Sequence, residues 1–600
     1  MFDKEMKYKL PMSFICNSFS VLLIASFICS CSVATESEQC SGPQTILYTN
    51  GDIISMGGDQ PDYLECVVTS GESIVYVGEK QTAIKEFPTA KIFDLNGKTL
   101  IPGFIDAHCH FAGFPAQGVG AKILPPPDAT VNSVDELVRV LKEWATPENI
   151  ELTGWIFGMG LDDSVIRPVK VMGVHDDMQP KSVMPTKDDL DKVSLEYPVI
   201  AIHISGHLAV VNSKGLEELG IDEHTADPPG GKIRRVPGTT EPNGVLEELA
   251  IIPKMAEIVN PATPEAAKVF LDSGIELALS YGYTTVQEGR AFLSSHQFLS
   301  SAAEHNQLPL DVVSYIDYSC DSLLLSDWYS ESYKNNYRIG GVKLTLDGSP
   351  QGRTAWCSHP YLIPPDGESA EYRGYPVISN DSIVKGIYDK CYKNNWQVLT
   401  HCNGDAAMDQ MIRTLSPVVE KYGVADRRTV LIHGQYIRKD QLAPFDSLNV
   451  IASLFPMHTY YWGDWHRQLI GDSLVQFISP TRSVLERGMR LTIHSDSPVA
   501  LPNMMRLVGT AVNRTSRSGR VVGSDQRLTP YEALKCITEW SAYQHFEEDM
   551  KGTIEVGKVA DLVVLDQNPL KVPVESIETI TVTHTIKEGE VIYTSLPENR

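Results

Sequence analysis

Between residues 101 and 498 the chain returns eight times to a short run rich in Val, Ile and Leu, and five of these runs carry a residue able to bind a hard divalent cation. The five are Ile101 to His110, Gly341 to Leu344, Val398 to His401, Val430 to His433 and Leu491 to Asp496. Thr284 to Gln287, Leu310 to Ser314 and Val450 to Leu454 complete the count. Continuous apolar runs, unlike alternating ones, mark strands buried on both faces, as in all-parallel sheets. A (β/α)8 barrel is made of eight such strands and carries its chemistry at their C-terminal ends. The expected fold is α/β, a TIM-like barrel with metal-binding side chains at its rim.

A barrel needs about 250 residues, so a chain of 600 must carry additions. Short strands at Thr45 to Tyr48, Ser73 to Gly78 and Ala90 to Leu95, with hairpin-like turns at Asn50-Gly51 and Asn96-Gly97, share their character with the tail at Gly557 to Asp566 and Gly589 to Tyr593. Residues 45–100 and 551–600 are expected to form one composite β-sandwich. Barrel strand 1 is placed at 101–111, and the rest of the metal-dependent barrel at 263–550. That second part opens with a helix at Thr263-Pro264-Glu265, where Thr suits the N-cap and Pro the first turn. The 112–262 stretch between them is a large insertion after barrel strand 1, which would cover the catalytic mouth as a lid. It holds Pro125-Pro126-Pro127, the glycine-rich Gly154 to Gly160, a helix candidate at Lys187 to Lys192 and a hairpin around Gly230-Gly231.

A net charge of -25 with no dense Lys/Arg stripe argues against nucleic-acid partners and anionic membrane surfaces. The eleven cysteines include no CxxC pair and suggest mostly reduced thiols, with Cys109 and Cys402 pointing away from the neighbouring histidines. Residues 1–34 read as a secretory signal, since Lys4, Lys7 and Lys9 precede an apolar Phe19 to Ile28 run too short to span a bilayer. Ile28-Cys29-Ser30-Cys31 resembles a bacterial lipobox with Cys31 as the acylated residue. The alternative is an ordinary signal peptide cut between Ser30 and Ala34. Either way the chain is expected to be exported, to the bacterial periplasm or to a membrane through an N-terminal lipid. Oligomeric state stays open.

His108 and His110, two apart on an expected strand, would project their imidazoles from one face towards one ion. Alone, an HxH pair is weak. The surrounding Pro102-Gly103-Phe104-Ile105-Asp106-Ala107-His108-Cys109-His110, however, resembles the opening motif of the amidohydrolase superfamily, and His401, His433 and Asp496 follow in the order that motif leads to expect. The likeness narrows to the YtcJ-like, amidohydrolase family 3 branch, which includes N-substituted formamide deformylases. It spans about Thr45 to Tyr593 and rests on Val342 to Ser349, His401-Cys402-Asn403-Gly404-Asp405, Ser495-Asp496-Ser497-Pro498-Val499, Ser205-Gly206-His207 with Val211-Asn212-Ser213, and the tail Gly552 to Asp561. The resemblance implies a composite terminal sandwich, a distorted barrel and a hydrolase of C–N bonds in a small molecule.

With that resemblance the expected metal set is His108, His110 and Asp496 on one divalent ion, His401 and His433 on a second, and Lys343 between them. Zinc suits such nitrogen and oxygen ligands, and iron, manganese or nickel could use the same ones. A lysine buried among cations should lose its proton. The resemblance points to its carbamate, whose two oxygens could bridge the ions. The alternatives are a substrate-contacting Lys343 or one paired with Asp347. Catalysis would use a metal-activated hydroxide with Asp496 as general base and then general acid. Asp496 could instead cap a helix starting near Pro498.

His207 is a second catalytic candidate, for the substrate carbonyl or leaving group, or else an insertion-core histidine. His203 and His494 match no ligand position. Arg353 is expected either to hold a substrate carboxylate or to form a surface salt bridge. Tyr460-Tyr461-Trp462 and Trp465 would either wall the substrate pocket or pack beneath the insertion. No GxSxG elbow, P-loop or dinucleotide fingerprint appears. Two rivals remain: a mononuclear deaminase or deacylase with unmodified Lys343, and a lipid-tethered binding protein that has lost turnover.

Overall fold

A computed structural model of the chain describes residues 44–166, 183–259, 261–365 and 367–595. The expected leader with Cys31 lies outside these residues. Eight strands form one sheet in sequential order: β1 (Phe104–Ile105), β2 (Tyr283–Ala291), β3 (Asp311–Asp317), β4 (Tyr337–Thr345), β5 (Gln397–Cys402), β6 (Val430–His433), β7 (Ile451–Leu454) and β8 (Leu491–Ile493). Every adjacent pair is parallel. Strands β5 to β8 are buried at every position, as their unbroken apolar runs require when both faces are covered. Helices such as Pro264–Ser280, Asp381–Lys393 and Asp405–Tyr422 connect the strands. The first is capped as expected, with the Thr263 side chain accepting from Ala266 N–H.

The run from Ile101 to His110 is divided between two sheets, where the sequence suggested a single barrel strand. Thr99–Pro102 pairs antiparallel with Leu562–Leu565 of the tail, and only Phe104–Ile105 pairs with β2. The switch occurs at Gly103, where a Cβ would lie 2.3 Å from Thr284 Oγ1. No other residue could cross there without displacing β2. Beyond Ile105 the chain leaves the ladder, so His108 and His110 stand past the strand end; only His110 makes a bridge, to Glu288. The seam to the last strand is closed by main chain and side chain together. Asp496 N donates to His108 O (3.0 Å), His110 N to Ser497 O (2.7 Å) and Ser495 Oγ to Asp106 Oδ2 (2.6 Å).

Both chain ends join one eight-stranded mixed sheet, in the order 590–594, 582–587, 562–565, 99–102, 45–54, 63–70 and 73–78, with Lys91–Asp94 also pairing Thr45–Ile54. Neither expected hairpin turn joins an antiparallel pair. Asn50-Gly51 is an irregularity inside the single strand Thr45–Ile54. Asn96-Gly97 joins Lys91–Asp94 to Thr99–Pro102, both of which run parallel to that strand. A dipeptide that favours positive φ fits a bulge as well as a turn, and Asn50 has φ 62°.

The insertion has its own six-stranded sheet, ordered 231–235, 242–248, 208–211, 199–203, 156–161 and 121–122. Its glycine-rich stretch forms the buried strand Ile156–Leu161. Gly160, at φ +116°, lies so close to Leu124 that a Cβ would sit 2.6 Å from its Cδ2. The expected helix is present as Lys187–Leu190; the hairpin pairs Gly231–Arg235 with Pro242–Glu248, so its turn lies at 236–241, and Gly230-Gly231 opens its first strand instead of forming the bend. All seven cysteines among the described residues are free, and Cys109 Sγ donates to Gln287 O, away from the histidines.

Candidate metal centre

Register sets the rim. Asp317 lies opposite Lys343, Thr345 opposite His401 and Cys402 opposite His433, so Lys343, His401 and His433 reach the same end of the barrel from three neighbouring strands. His108, His110 and Asp496 come to that end from the chain segments that close the seam. One ligand atom from each of these last three lies within 4.8 Å of the others. Asp496 Oδ1 is 3.6 Å from both His108 Nε2 and His110 Nε2. Lys343 Nζ is 2.8 Å from His108 Nε2. His433 Nδ1 is 3.9 Å from Asp496 Oδ2, and the His401 and His433 rings are 4.6 Å apart. All six expected ligands therefore surround one end of the barrel, with only His108, His110 and Asp496 in the tight cluster.

The donor set suits a divalent cation. Asp496 Oδ1 is buried and has no hydrogen-bond partner, a costly condition unless something else pairs it. Burial first, then the Lys343 ammonium, holds His108 far below the usual imidazole range. Burial likewise keeps His401 and His433 neutral. Neutral imidazoles present the lone pair a metal needs. Lys343 is 1% exposed, and burial pushes its amine down to about 7. His433 and Asp496 both have left-handed backbone, at φ 73° and 51°. Such strain in non-glycine residues costs on the order of 1–3 kcal/mol and gathers where geometry is held for function.

Several supporting residues escaped the sequence. Gln287 Oε1 lies 2.6 Å from His108 Nδ1, while its Nε2 donates to Ala107 O, so Nδ1 carries the proton and Nε2 faces Asp496. Asp106, 0% exposed, accepts from His108 N, Ser495 N, Ser495 Oγ and Tyr283 Oη. It ties the two ends of the barrel under the site. His494, set aside in the sequence, holds His433 in place: its Nε2 is 3.1 Å from His433 Nδ1 and its Nδ1 is 2.9 Å from Ser453 Oγ. Its place two residues before Asp496 was the available signal.

The remaining alternatives separate cleanly. Asp347 accepts from Asn403 N, Gly404 N and Trp356 N and lies 3.3 Å from His401 Nδ1; its partners are these groups, not Lys343. No helix begins at Pro498; the next one, Met504–Asn513, is capped by Asn503, so Asp496 caps nothing. His207 sits after a hairpin turn of the insertion at Gly206 (φ +68°), lines the cavity and places its ring 5.0 Å from that of His401. Its Nδ1 is 2.7 Å from Glu248 Oε2.

His203 is an insertion-core histidine bonded to Asp163 and Ser205. Arg353 pairs with insertion residue Asp163 at 3.0 Å in a partly buried salt bridge, where a substrate contact or a surface bridge was expected. The aromatics pack beneath the insertion: Tyr461 donates to Asp128 and Trp462 to Asp162. Trp465 donates to Gln351 O.

A model of the amidohydrolase family matches residues 91–593. Among characterised and named relatives, the chain is 24% identical over 517 residues to a putative amidohydrolase YtcJ of Bacillus subtilis, covering 84% of this chain and 91% of that one. It is 26% identical over 553 residues to an N-substituted formamide deformylase of Arthrobacter pascens, with 88% and 95% covered. The fold is similar to an uncharacterized metal-dependent hydrolase from Pyrococcus horikoshii, with a TM-score of 0.67 at 24% identity over 92% of this chain and 100% of that one. From the span of that family match and the order of its rim residues, the chain belongs to the amidohydrolase family, whose members hydrolyse carbon–nitrogen bonds.

Proposed function

We propose that this chain hydrolyses an amide, formamide or cyclic amide bond in a small molecule with two divalent ions, most readily zinc, and acts outside the cytoplasm, in the periplasm or tethered by a lipid on Cys31. The catalytic part rests on one observation: a buried carboxylate oxygen, Asp496 Oδ1, without a hydrogen-bond partner and 3.6 Å from two imidazole nitrogens. His108, His110 and Asp496 would hold one ion, and His401 and His433 the other. A carbamate on Lys343 would lie between them. Bound there, a divalent cation supplies Lewis acidity, lowering the pKa of water and polarising the scissile carbonyl.

The rest falls to the chain's own side chains. Asp496 takes the proton of the attacking water and returns it to the leaving nitrogen. Gln287 and Asp106 keep His108 oriented, so that neither its tautomer nor its position changes during the reaction. His207, fixed by Glu248, offers Nε2 to the substrate carbonyl or leaving group from the insertion. The amine of Lys343, neutral in good part at physiological pH because of burial, adds to carbon dioxide: a N–C bond forms and one proton passes to solvent. The insertion acts as a lid, the composite terminal sheet as a sandwich bracing the barrel, and the N-substituted formamide cleaved by the Arthrobacter relative is one bond of the proposed class.

One observation favours a second reading. Only His108, His110 and Asp496 share a tight cluster among the described residues, as a mononuclear site with unmodified Lys343 would require. Metal analysis with intact mass under bicarbonate separates the two, alongside a screen of N-acyl, N-formyl and cyclic amides. Two ions per chain with the added mass of carbon dioxide support the first, one ion without it the second, and a metal-replete chain that cleaves no amide overturns both. For location, Cys31→Ser should move the protein from the membrane to the soluble exported fraction.

A further inference from the structure

Arg290, near the end of β2, lines the same cavity as Asp496 and Lys343. Its Nε donates to Asp317 Oδ2 at 2.8 Å, and both side chains are largely buried, at 11% and 3% exposed. Asp317 spends its other oxygen on Ser319 N and Oγ, so the carboxylate is held from its own side and holds the guanidinium in turn. Among the described residues Arg290 Nη1 and Nη2 donate to no protein group. The guanidinium lies 5.4 Å from the ring centre of Phe292. A permanent cation anchored through Nε in the wall of a cavity, with Nη1 and Nη2 uncommitted among the described residues, can receive a planar oxyanion bidentately.

The rest of the lining limits what that anion is attached to. Met159, Ile202, Ile252, Met255 and Val259 of the insertion form an apolar wall. The other charged side chain that β2 sends to the cavity, Glu288, is turned to Ala112 N and Arg290 N and stands near His110. Arg290 lines the cavity together with Lys343, His401 and Asp496, so the oxyanion would lie near the reacting end. Resting on the hydrolase reading above, we propose that Arg290 holds a carboxylate of the substrate, making the preferred substrate an N-acyl compound with a carboxylate close to its scissile C–N bond and an apolar side chain against the insertion wall.

The test compares N-formylphenylalanine with N-formyl-2-phenylethylamine, which differ by the carboxylate alone. Turnover is read on the metal-loaded full chain, and affinity by calorimetry on the metal-loaded Asp496→Asn chain, where hydrolysis does not interfere. A charge-assisted bidentate contact predicts a preference for the acid of roughly 30-fold in KM and in affinity. Arg290→Met should bring it close to equality, and Arg290→Lys should recover part of it. Should Asp317 left unpaired prevent folding, Arg290→Met combined with Asp317→Asn keeps the pair neutral. Equal binding of the two compounds by the parent chain, or a preference that survives both Arg290 substitutions, overturns the proposal. Selective binding of the acid without turnover of either compound supports Arg290 while counting against the hydrolase reading; turnover of both at equal KM does the reverse.

Discussion

Two lysines are buried at opposite ends of the same barrel, and their surroundings could hardly differ more. At the N-terminal ends of the strands, Lys551 from the tail meets Asp311 of β3 and Glu547, at 3.1 Å, while Lys587 lies 3.1 Å from Asp311 and 3.3 Å from Asp561. Arg338 of β4 completes the group at 2.7 Å from Glu547. Every charge there has a partner, and the carboxylates hold the Lys551 ammonium above the ordinary lysine range despite its burial. At the C-terminal ends, Lys343 has a histidine as its close neighbour and its pKa falls to about 7. Burial with paired charges is architecture, closing the floor of the barrel with the tail. Burial without them stores a local cost that a bound cation or a covalent change can relieve.

The sharpest way to break this contrast is at the carboxylate. Asp496→Asn should lower turnover by on the order of 10³-fold while circular dichroism shows the fold intact and most metal is retained; unchanged activity removes Asp496 from the mechanism. Lys551→Met should cost about 3–5 kcal/mol in chemical denaturation, since Asp311 and Glu547 lose a shared partner in the interior, with activity per folded molecule preserved. Lys343→Met in the metal-free chain should go the other way, gaining about 1–4 kcal/mol, with metal affinity lost.

The sign follows from protonation. The folded Lys343 binds its proton less tightly than the unfolded one, so stability of the metal-free parent rises with pH from about 7 towards the ordinary lysine value and is lowest below 7. A denaturation series across that window should show the slope shrink in Lys343→Met. The smallest effect is expected where an aromatic merely packs under the insertion: Tyr461→Phe loses its bond to Asp128 and about 1 kcal/mol, with KM unchanged.

Much of the barrel was legible because its strands are buried on both faces, and that leaves an unbroken apolar run in the chain. Val430–His433 coincides with its run to the residue. The candidate ligands were legible as a set because HxH, the two later histidines and the aspartate stand at run ends, and the structure brings them to one end of the barrel. The supporting contacts were not. Gln287 is 179 positions from His108 and Ser495 is 389 from Asp106; nothing local in either pair marks it. Part of the insertion's sheet was hidden for another reason, since the strand Ile156–Leu161 carries glycines that look like loop punctuation until Leu124 is seen against Gly160.

By itself the sequence determined the number and direction of the barrel strands, the residues offered at their ends and the cap of the helix at Pro264, since each depends on neighbours a few positions apart. Only the tertiary structure decided that the first run would be shared between two sheets, that Lys343 would lack a carboxylate partner while Lys551 has two, and that Arg290 would be anchored to Asp317 in the wall of the cavity. Those outcomes depend on which side chains distant segments bring together in a low-dielectric interior, where the presence or absence of one partner reverses the preferred state of a charge.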